Sequence, residues 1–275
     1  MKLWISIALA IAITASHGAP TVQLVGIEGR STEPSMLHVL GGQPVDLQLH
    51  IASATPGRVS VRASLYQLAT GIAAPVLQDL PVNEGLAFDG SSIRPQKWTV
   101  MLPDVRAVTA MELRFAAKLD AEETWQPAGA ARLAVYPADL LAQVKRQLSS
   151  AVNRTEASFV VLGESSQLKS LLRELGLAFE EVNEVSNTSS KTLYLAECSI
   201  DLARALIDQT SEVVRIVIFT RDSSLPAGVY WTERKDGLIA KITLPVLVDF
   251  ASSPERQMLF LTVLQQALHT FQSSP

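Results

Sequence analysis

The repeat period of the apolar residues changes once along this chain, near Tyr136 and Pro137. Before that point apolar and polar residues alternate with a period of two, which is the pattern of a strand with one buried face. After it, apolar residues recur at three- and four-residue spacing or in short continuous runs, as in amphipathic helices and in strands buried on both faces. The change predicts two separately packed domains, over residues 19–137 and 138–275.

The first half contains several short alternating runs, and residues 45–51 and 59–66 show the pattern most clearly. Clusters such as Thr55-Pro56-Gly57 and Asn83-Glu84-Gly85 separate these runs, and we interpret them as turns. About seven strands in about 115 residues resemble an immunoglobulin-like domain in size and arrangement. We therefore expect the first domain to be an all-β immunoglobulin-like sandwich.

The second half alternates predicted strands with predicted helices. The predicted helices are 140–148, 168–175, 202–207 and 254–268, and the predicted strands are 159–162, 179–182, 192–196, 213–219, 229–231 and 238–244. Continuous apolar strands joined by helices are typical of a sheet that is covered on both faces. We expect a three-layer α/β domain with a mostly parallel sheet.

The first nineteen residues have the three parts of a secretory signal peptide. Met1-Lys2 gives a short positive start, residues 3–15 form an uncharged apolar run, and residues 16–19 are small or polar. The apolar run is shorter than the about 20 residues that span a bilayer. We expect residues 1–18 to be removed and the mature protein to be periplasmic or secreted.

Composition narrows the range of partners. Hydrophobic residues make up 48% of the chain and charged residues 18%, a balance that supports packed cores. The net charge is −4 and no run of basic residues is present, so nucleic acid is not an expected partner. No second apolar stretch has transmembrane length. The single cysteine, Cys198, rules out a disulfide within the chain.

Three segments should meet beyond the carboxyl ends of the parallel strands, where open α/β sheets bind ligands. They are 163–166, 197–199 and 220–224. The candidate ligand-binding residues in these segments are Glu164, Ser165, Glu197 and Asp222. Serine and aspartate at a strand-to-helix turn also cap helices, and that is the competing interpretation.

Cys198 lies where a predicted strand passes into a predicted helix, a position where a helix N-terminus lowers the pKa of a thiol. In this respect the second half resembles the class I glutamine amidotransferase-like, or flavodoxin-like, family. That family places a cysteine on a sharp strand-to-helix turn, with glycines beside it and a histidine and a glutamate supplied later. Here Ala196-Glu197 and Ser199-Ile200 flank the cysteine, and the only later histidine, His269, falls near the end of the last helix. The resemblance implies the fold without the catalysis, and Cys198 is then a small core residue.

Metal and cofactor sites have no support in the sequence. The four histidines, His17, His38, His50 and His269, are far apart and lack ligand spacing. The glycine patterns that bind dinucleotides and nucleoside triphosphates are absent. We expect neither a metal nor a cofactor.

These features favour an exported, non-catalytic binding or assembly protein of the cell envelope, whose partner is another envelope protein or a small ligand. Two alternatives stay open. One is a cysteine-dependent hydrolase that uses Cys198, with Glu164, Glu197 or Asp222 in support. The other is a small-ligand sensor that uses the crevice at the strand ends without chemistry.

Overall fold

The computed structural model of the protein is mostly β with some helix, and the chain divides into two compact units. The first ends at Ala138 and the second begins at Asp139. The structure describes residues 19–27, 36–183, 191–199, 215–220, 228–234, 237–242, 246–247 and 250–271. The predicted signal peptide at 1–18, the predicted helix at 202–207 and Asp222 lie outside the described residues.

The described part of the first unit has eight strands in two sheets. They are β1 (Thr21–Ile27), β2 (Leu37–Leu40), β3 (Pro44–Ser53), β4 (Gly57–Ala69), β5 (Ile72–Phe88), β6 (Ser92–Met101), β7 (Thr109–Leu119) and β8 (Gln126–Tyr136). One sheet has the order β1-β3-β6 and is antiparallel. The other has the order β2-β8-β7-β4-β5 and is antiparallel except for the pair β2–β8.

One apolar core belongs to both sheets, as the period-two pattern requires. Alternate residues of β3 and β4, including Leu49, Ile51 and Leu65, are fully buried, which confirms the alternation predicted for residues 45–51 and 59–66. Gly129 in β8 lies against the backbone of β1, where a Cβ atom would overlap the carbonyl oxygen of Val22. Glycine is needed there because the two backbones approach more closely than a side chain permits.

The strands β2 and β5 differ from the sequence-based prediction. Neither was predicted, and Asn83-Glu84-Gly85, predicted as a turn, lies within β5. The pairing of β5 with β4 shifts register several times, and Gly85 has a φ of 66° while its N–H donates to Ser60 Oγ at 3.1 Å. Bulges break the period-two alternation, and glycine is common in them. The sequence of this irregular edge strand therefore looks like that of a turn.

The second unit contains a six-stranded sheet in the order β10-β9-β11-β12-β14-β13. Its strands are β9 (Ser158–Leu162), β10 (Phe179–Val182), β11 (Thr192–Glu197), β12 (Arg215–Phe219), β13 (Val229–Arg234) and β14 (Gly237–Ile242). All neighbours are parallel except β13 and β14, so the mostly parallel sheet is confirmed. The described helices are α1 (Leu140–Thr155), α2 (Ser166–Glu174) and α3 (Pro254–His269).

Packing in this unit follows the predicted patterns. The three central strands β9, β11 and β12 are buried along almost their whole length. In α3, Phe260 stacks on Phe219 of β12 with ring centroids 5.5 Å apart. At the start of β12, the guanidinium of Arg215 lies 4.2 Å from the centre of the Phe271 ring and donates to Thr270 Oγ1 at 3.0 Å. This arginine fixes the end of α3 to the first residue of the strand.

Candidate site at the strand ends

The carboxyl ends of β9, β11 and β12 lie at one edge of the parallel sheet. Ala196 pairs with Leu162, and Glu197 pairs with Phe219. This register brings the loop 163–165 beside Cys198 and brings Cys198 beside Thr220, so the three strand ends lie next to one another in the order of the sheet. Of the four predicted ligand-binding residues, the structure describes Glu164, Ser165 and Glu197.

Ser165 connects the ends of two strands. Its side chain is buried, and its hydroxyl donates to the carbonyl oxygen of Leu162 at 2.9 Å while accepting the backbone N–H of Glu197 at 2.9 Å. Ser165 occupies the N-cap position of α2, but its hydroxyl makes no capping bond to that helix. The helix-capping interpretation is therefore correct for the position of Ser165 and wrong for its side chain.

Glu197 takes over the capping of α2. Its carboxylate oxygen Oε2 accepts the backbone N–H of Leu168, in the first turn of the helix, at 3.4 Å. Ser165 thus holds the backbone of Glu197 while the side chain of Glu197 holds the helix that begins after Ser165. The arrangement resembles a capping box formed between two segments that lie 32 residues apart in the chain.

Glu164 is the exposed member of the described set. It follows Gly163, which has a φ of 65° and whose N–H donates to Val182 O at 2.9 Å. A left-handed conformation at this position favours glycine and turns the chain sharply out of β9. The loop therefore directs its backbone toward the neighbouring strand and leaves the Glu164 carboxylate in solvent.

Cys198 lies half-buried directly after β11. Its backbone N–H donates to Phe219 O at 3.2 Å, and its side chain packs against a buried apolar cluster on one face of the sheet. That cluster comprises Val160, Leu162, Tyr194, Ala196, Ile216 and Ile218. Burial raises the pKa of the Cys198 thiol from 9.0 to about 11. The thiol is therefore protonated at neutral pH, which is the opposite of an activated nucleophile.

A general base for this thiol is not found among the residues that the structure describes. His269 is exposed in the last turn of α3 and makes no hydrogen bond with Cys198. Among the same residues, no group of three histidine, cysteine or acidic side chains is arranged to hold a metal ion. None of the described helices is long and apolar enough to cross a bilayer.

The hydrogen bond between Ser165 and Glu197 was not predicted, because a bond between residues 32 positions apart has no local sequence pattern. The exposed apolar hairpin formed by β4 and β5 was not predicted either. There a signal exists: residues 68–78 contain no charged side chain.

Comparison with known proteins identifies no family for this chain. No protein family and no curated protein matches it. Solved structures that match parts of it include a Niemann-Pick type C2 protein from the Japanese carpenter ant, with 9% identity over 36% of this chain and 78% of that one, and a TM-score of 0.27. The sporulation control protein Spo0M from Bacillus subtilis matches with 11% identity over 50% of this chain, and a TM-score of 0.32; the match spans 56% of its length.

A third match is the C-terminal domain of wzt, with 11% identity over 44% of this chain and 78% of that domain, and a TM-score of 0.29. Similarity at these levels carries no functional argument.

Proposed function

We propose that the protein is an exported, non-catalytic binding or assembly protein of the cell envelope. The observation that carries this proposal is the mutual engagement of Ser165 and Glu197 at the strand ends, where an enzyme of this architecture would keep its reactive groups. A hydroxyl and a carboxylate that hold two strands and a helix together are not available to a substrate.

The state of Cys198 supports the same conclusion. A nucleophilic cysteine works as a thiolate beside a base, within about 3 Å of it. Burial raises the pKa of the Cys198 thiol to about 11, so on the order of one molecule in ten thousand carries the thiolate at pH 7. The cysteine-dependent hydrolase is therefore the less favoured alternative, and Cys198 serves as a small packing residue.

The finer architecture belongs to the same proposal. Two sheets that have one core in common are consistent with an immunoglobulin-like sandwich. The mostly parallel order of the second sheet is consistent with a three-layer α/β domain of the amidotransferase-like or flavodoxin-like kind. In such a pair, the sandwich would supply the binding surface and the α/β domain, which lacks a catalytic set, would serve as a stable support. This arrangement suits the binding of another envelope protein or a small ligand.

Export is tested through the N-terminus of the mature protein. The positive start and the short apolar run support cleavage between Ala15 and Pro20. Mass spectrometry of the protein recovered from the periplasm or the medium should show a chain that begins in this interval. A chain that keeps residues 1–15 in the membrane fraction contradicts export with cleavage.

The absence of catalysis is tested by titrating the single thiol with a small electrophile from pH 6 to pH 11. The labelling rate of Cys198 should keep rising up to about pH 11, whereas N-acetylcysteine, the exposed control, should level off nearer pH 9. Rapid labelling that is independent of pH between 6 and 8 contradicts the proposal if the Cys198→Ala variant also loses a hydrolytic activity.

A further inference from the structure

The pairing between β4 and β5 continues after the pairing between β4 and β7 has ended. The pairing of β4 with β7 ends at Gln67, opposite Met111, whereas β4 and β5 remain paired as far as Ala69 and Ile72. A two-residue turn closes the hairpin, and Gly71 in that turn has a φ of 77°. The hairpin segment 68–77, named the arm here, lies at one end of the sandwich, and its residues 68–73 come after the last pair between β4 and β7.

The arm is apolar and exposed. No charged residue occurs between Leu68 and Gln78. Within the arm, Ile72 is 68% exposed and Val76 is 37% exposed. Single exposed apolar residues are common on protein surfaces, but a continuous exposed run without a charge is not. The arm therefore has the composition of a segment that contacts an apolar phase.

Other exposed apolar side chains lie at the same end of the sandwich. Met101 ends β6, and Val108 precedes β7, whose first residues pair with the last residues of β8. The N–H groups of Gly41 and Gly42 tie this end together by bonding to Tyr136 O and Leu102 O. Four of the seven large apolar residues that the described structure leaves exposed, Ile72, Val76, Met101 and Val108, are found here.

Charge also differs between the two ends of the sandwich. Behind the arm, the basic residues are Arg106, Arg114 and Arg132, and the acidic ones are Asp104 and Glu112. At the opposite end, the basic residues are Arg58, Arg94 and Lys118, and the acidic ones are Glu84, Asp89, Asp120, Glu122 and Glu123. The remaining charges that the structure describes in this unit form the ion pairs Arg62–Asp79 and Lys97–Asp46. Within the two ends, Arg114 pairs with Glu112 and Arg94 pairs with Asp89. Glu28, Arg30 and Glu33 lie outside the described residues. Among the described charges, the arm end is the more basic end.

The side chains behind the arm suit the boundary between lipid and water. The guanidinium of Arg114 pairs with Glu112 at 2.6 Å and lies 4.3 Å from the centre of the Tyr66 ring. Tyr66 lies on β4 two positions before the arm. Arginine and tyrosine combine an apolar body with a polar tip, so they are stable at the depth of lipid headgroups. Arg132, which has no carboxylate partner among the described residues, lies opposite Glu112 on the next strand.

We infer that the arm end of this unit docks on an anionic lipid surface, with the arm in the acyl boundary and the arginines at the phosphates. A lipid phase accepts an exposed apolar hairpin of any shape, whereas a protein partner must supply a matching groove. Strand addition at this edge is obstructed because Pro75 and Pro81 in β5 have no N–H to donate. The inference goes beyond the proposed function, because a lipid surface is neither an envelope protein nor a small ligand, and it does not depend on Cys198.

The test measures cosedimentation of the full chain with vesicles of phosphatidylcholine alone and with equal parts of phosphatidylglycerol and phosphatidylcholine. Ile72→Ser should weaken binding about tenfold on both vesicles, because it removes one inserted aliphatic side chain. Ile93→Ser is the matched control, since Ile93 is 63% exposed in β6 at the opposite end and should bind as the unchanged chain does. All variants have the same N-terminus, so any binding through residues 1–18 is common to them.

The charge component has its own pair of variants. Arg132→Gln should weaken binding about fivefold on the phosphatidylglycerol vesicles and leave phosphatidylcholine binding unchanged, whereas Arg94→Gln should alter neither. Equal losses for Ile72→Ser and Ile93→Ser, or no vesicle binding by the unchanged chain, overturn the inference. So does a chain that stays off vesicles but self-associates through the arm in sedimentation equilibrium. None of these results bears on the thiol titration, so the two proposals fail separately.

Discussion

The carboxyl ends of the parallel strands and the arm end of the sandwich use their side chains in opposite ways. At the strand ends, Ser165 and Glu197 bond to backbone groups of the same unit, and Cys198 packs on the sheet. At the arm end, Ile72 and Val76 stay 68% and 37% exposed to solvent. The strand ends contain the residue types of a binding site, but their polar groups are already bonded within the fold. The arm end contains exposed side chains that are free to contact a partner, but it matches no known motif.

This difference shows that residue type alone is a weak guide to function. A polar group can act on a ligand only when the fold does not already use it, and buried polar groups are almost always used. An apolar side chain that stays exposed has not contributed its burial free energy to folding. Matched substitutions at positions that the fold uses and at positions that it leaves exposed therefore measure this difference directly.

The largest effect is expected at Gly129. A methyl group there overlaps the carbonyl oxygen of Val22, so Gly129→Ala must separate β1 from β8 and should lower the free energy of unfolding by about 3 kcal/mol. Gly71→Ala in the arm meets no atom within 4 Å and carries only the cost of a left-handed residue, about 1 kcal/mol. Urea denaturation of both variants tests the ranking, and equal losses would mean that the arm is packed as tightly as the sandwich.

Much of the fold could be predicted because the burial of one face of a strand or helix places apolar residues at a regular spacing in the sequence. The alternation at 45–51 and the apolar run at 159–162 correspond to β3 and β9. The strand β5 could not be predicted, since its bulges and its exposed edge remove both the period and the apolar face. Short range patterns report whether a residue is buried, but they do not report which distant strand pairs with it.

The second largest effect is expected from Ser165→Ala. The substitution leaves Leu162 O and the N–H of Glu197 without their buried partner, which should cost about 2 kcal/mol. Ser166→Ala, one residue later and exposed, should change the stability by less than about 0.5 kcal/mol. If the two variants unfold at the same urea concentration, Ser165 does not hold the strand ends together and becomes available as a ligand residue again.

The location of the site was predictable, but its chemistry was not. Strand ends and loops follow from the order of elements, which is why Glu164, Ser165, Glu197 and Cys198 were correctly placed at one edge. Whether Ser165 faces a ligand or a neighbouring strand depends on the separation of β9 and β11, which is a tertiary quantity. Likewise, the strand-to-helix position left two interpretations of Cys198 open, an activated thiol and a small core residue, and burial raises the pKa of the thiol, which favours the second.

A third effect depends on pH. The pKa of Cys198 is raised from 9.0 to about 11, so the neutral thiol contributes stability that is fully present below pH 9 and is lost as the pH rises through 11. Because the side chain is half-exposed, we expect a loss of about 1 kcal/mol rather than the full value of the shift. Unfolding of the unchanged chain and of Cys198→Ala should be compared at pH 8 and pH 11, so that other titrating groups cancel. A difference between the two chains that stays constant with pH contradicts a buried neutral thiol.

The smallest effect separates the two glutamates of the strand ends. Glu197→Gln keeps the shape of the side chain but replaces a carboxylate near the N-terminus of α2 with a neutral amide, which should cost about 0.5–1 kcal/mol. Glu164→Gln is the matched control, because Glu164 is exposed, lies in the same loop region and makes no capping bond to α2. It should leave the midpoint of urea denaturation unchanged, and 1 M NaCl should reduce the Glu197 effect by screening. A larger loss for Glu164→Gln would reverse the assignment, with Glu164 as the structural residue and Glu197 as the group left free for a ligand.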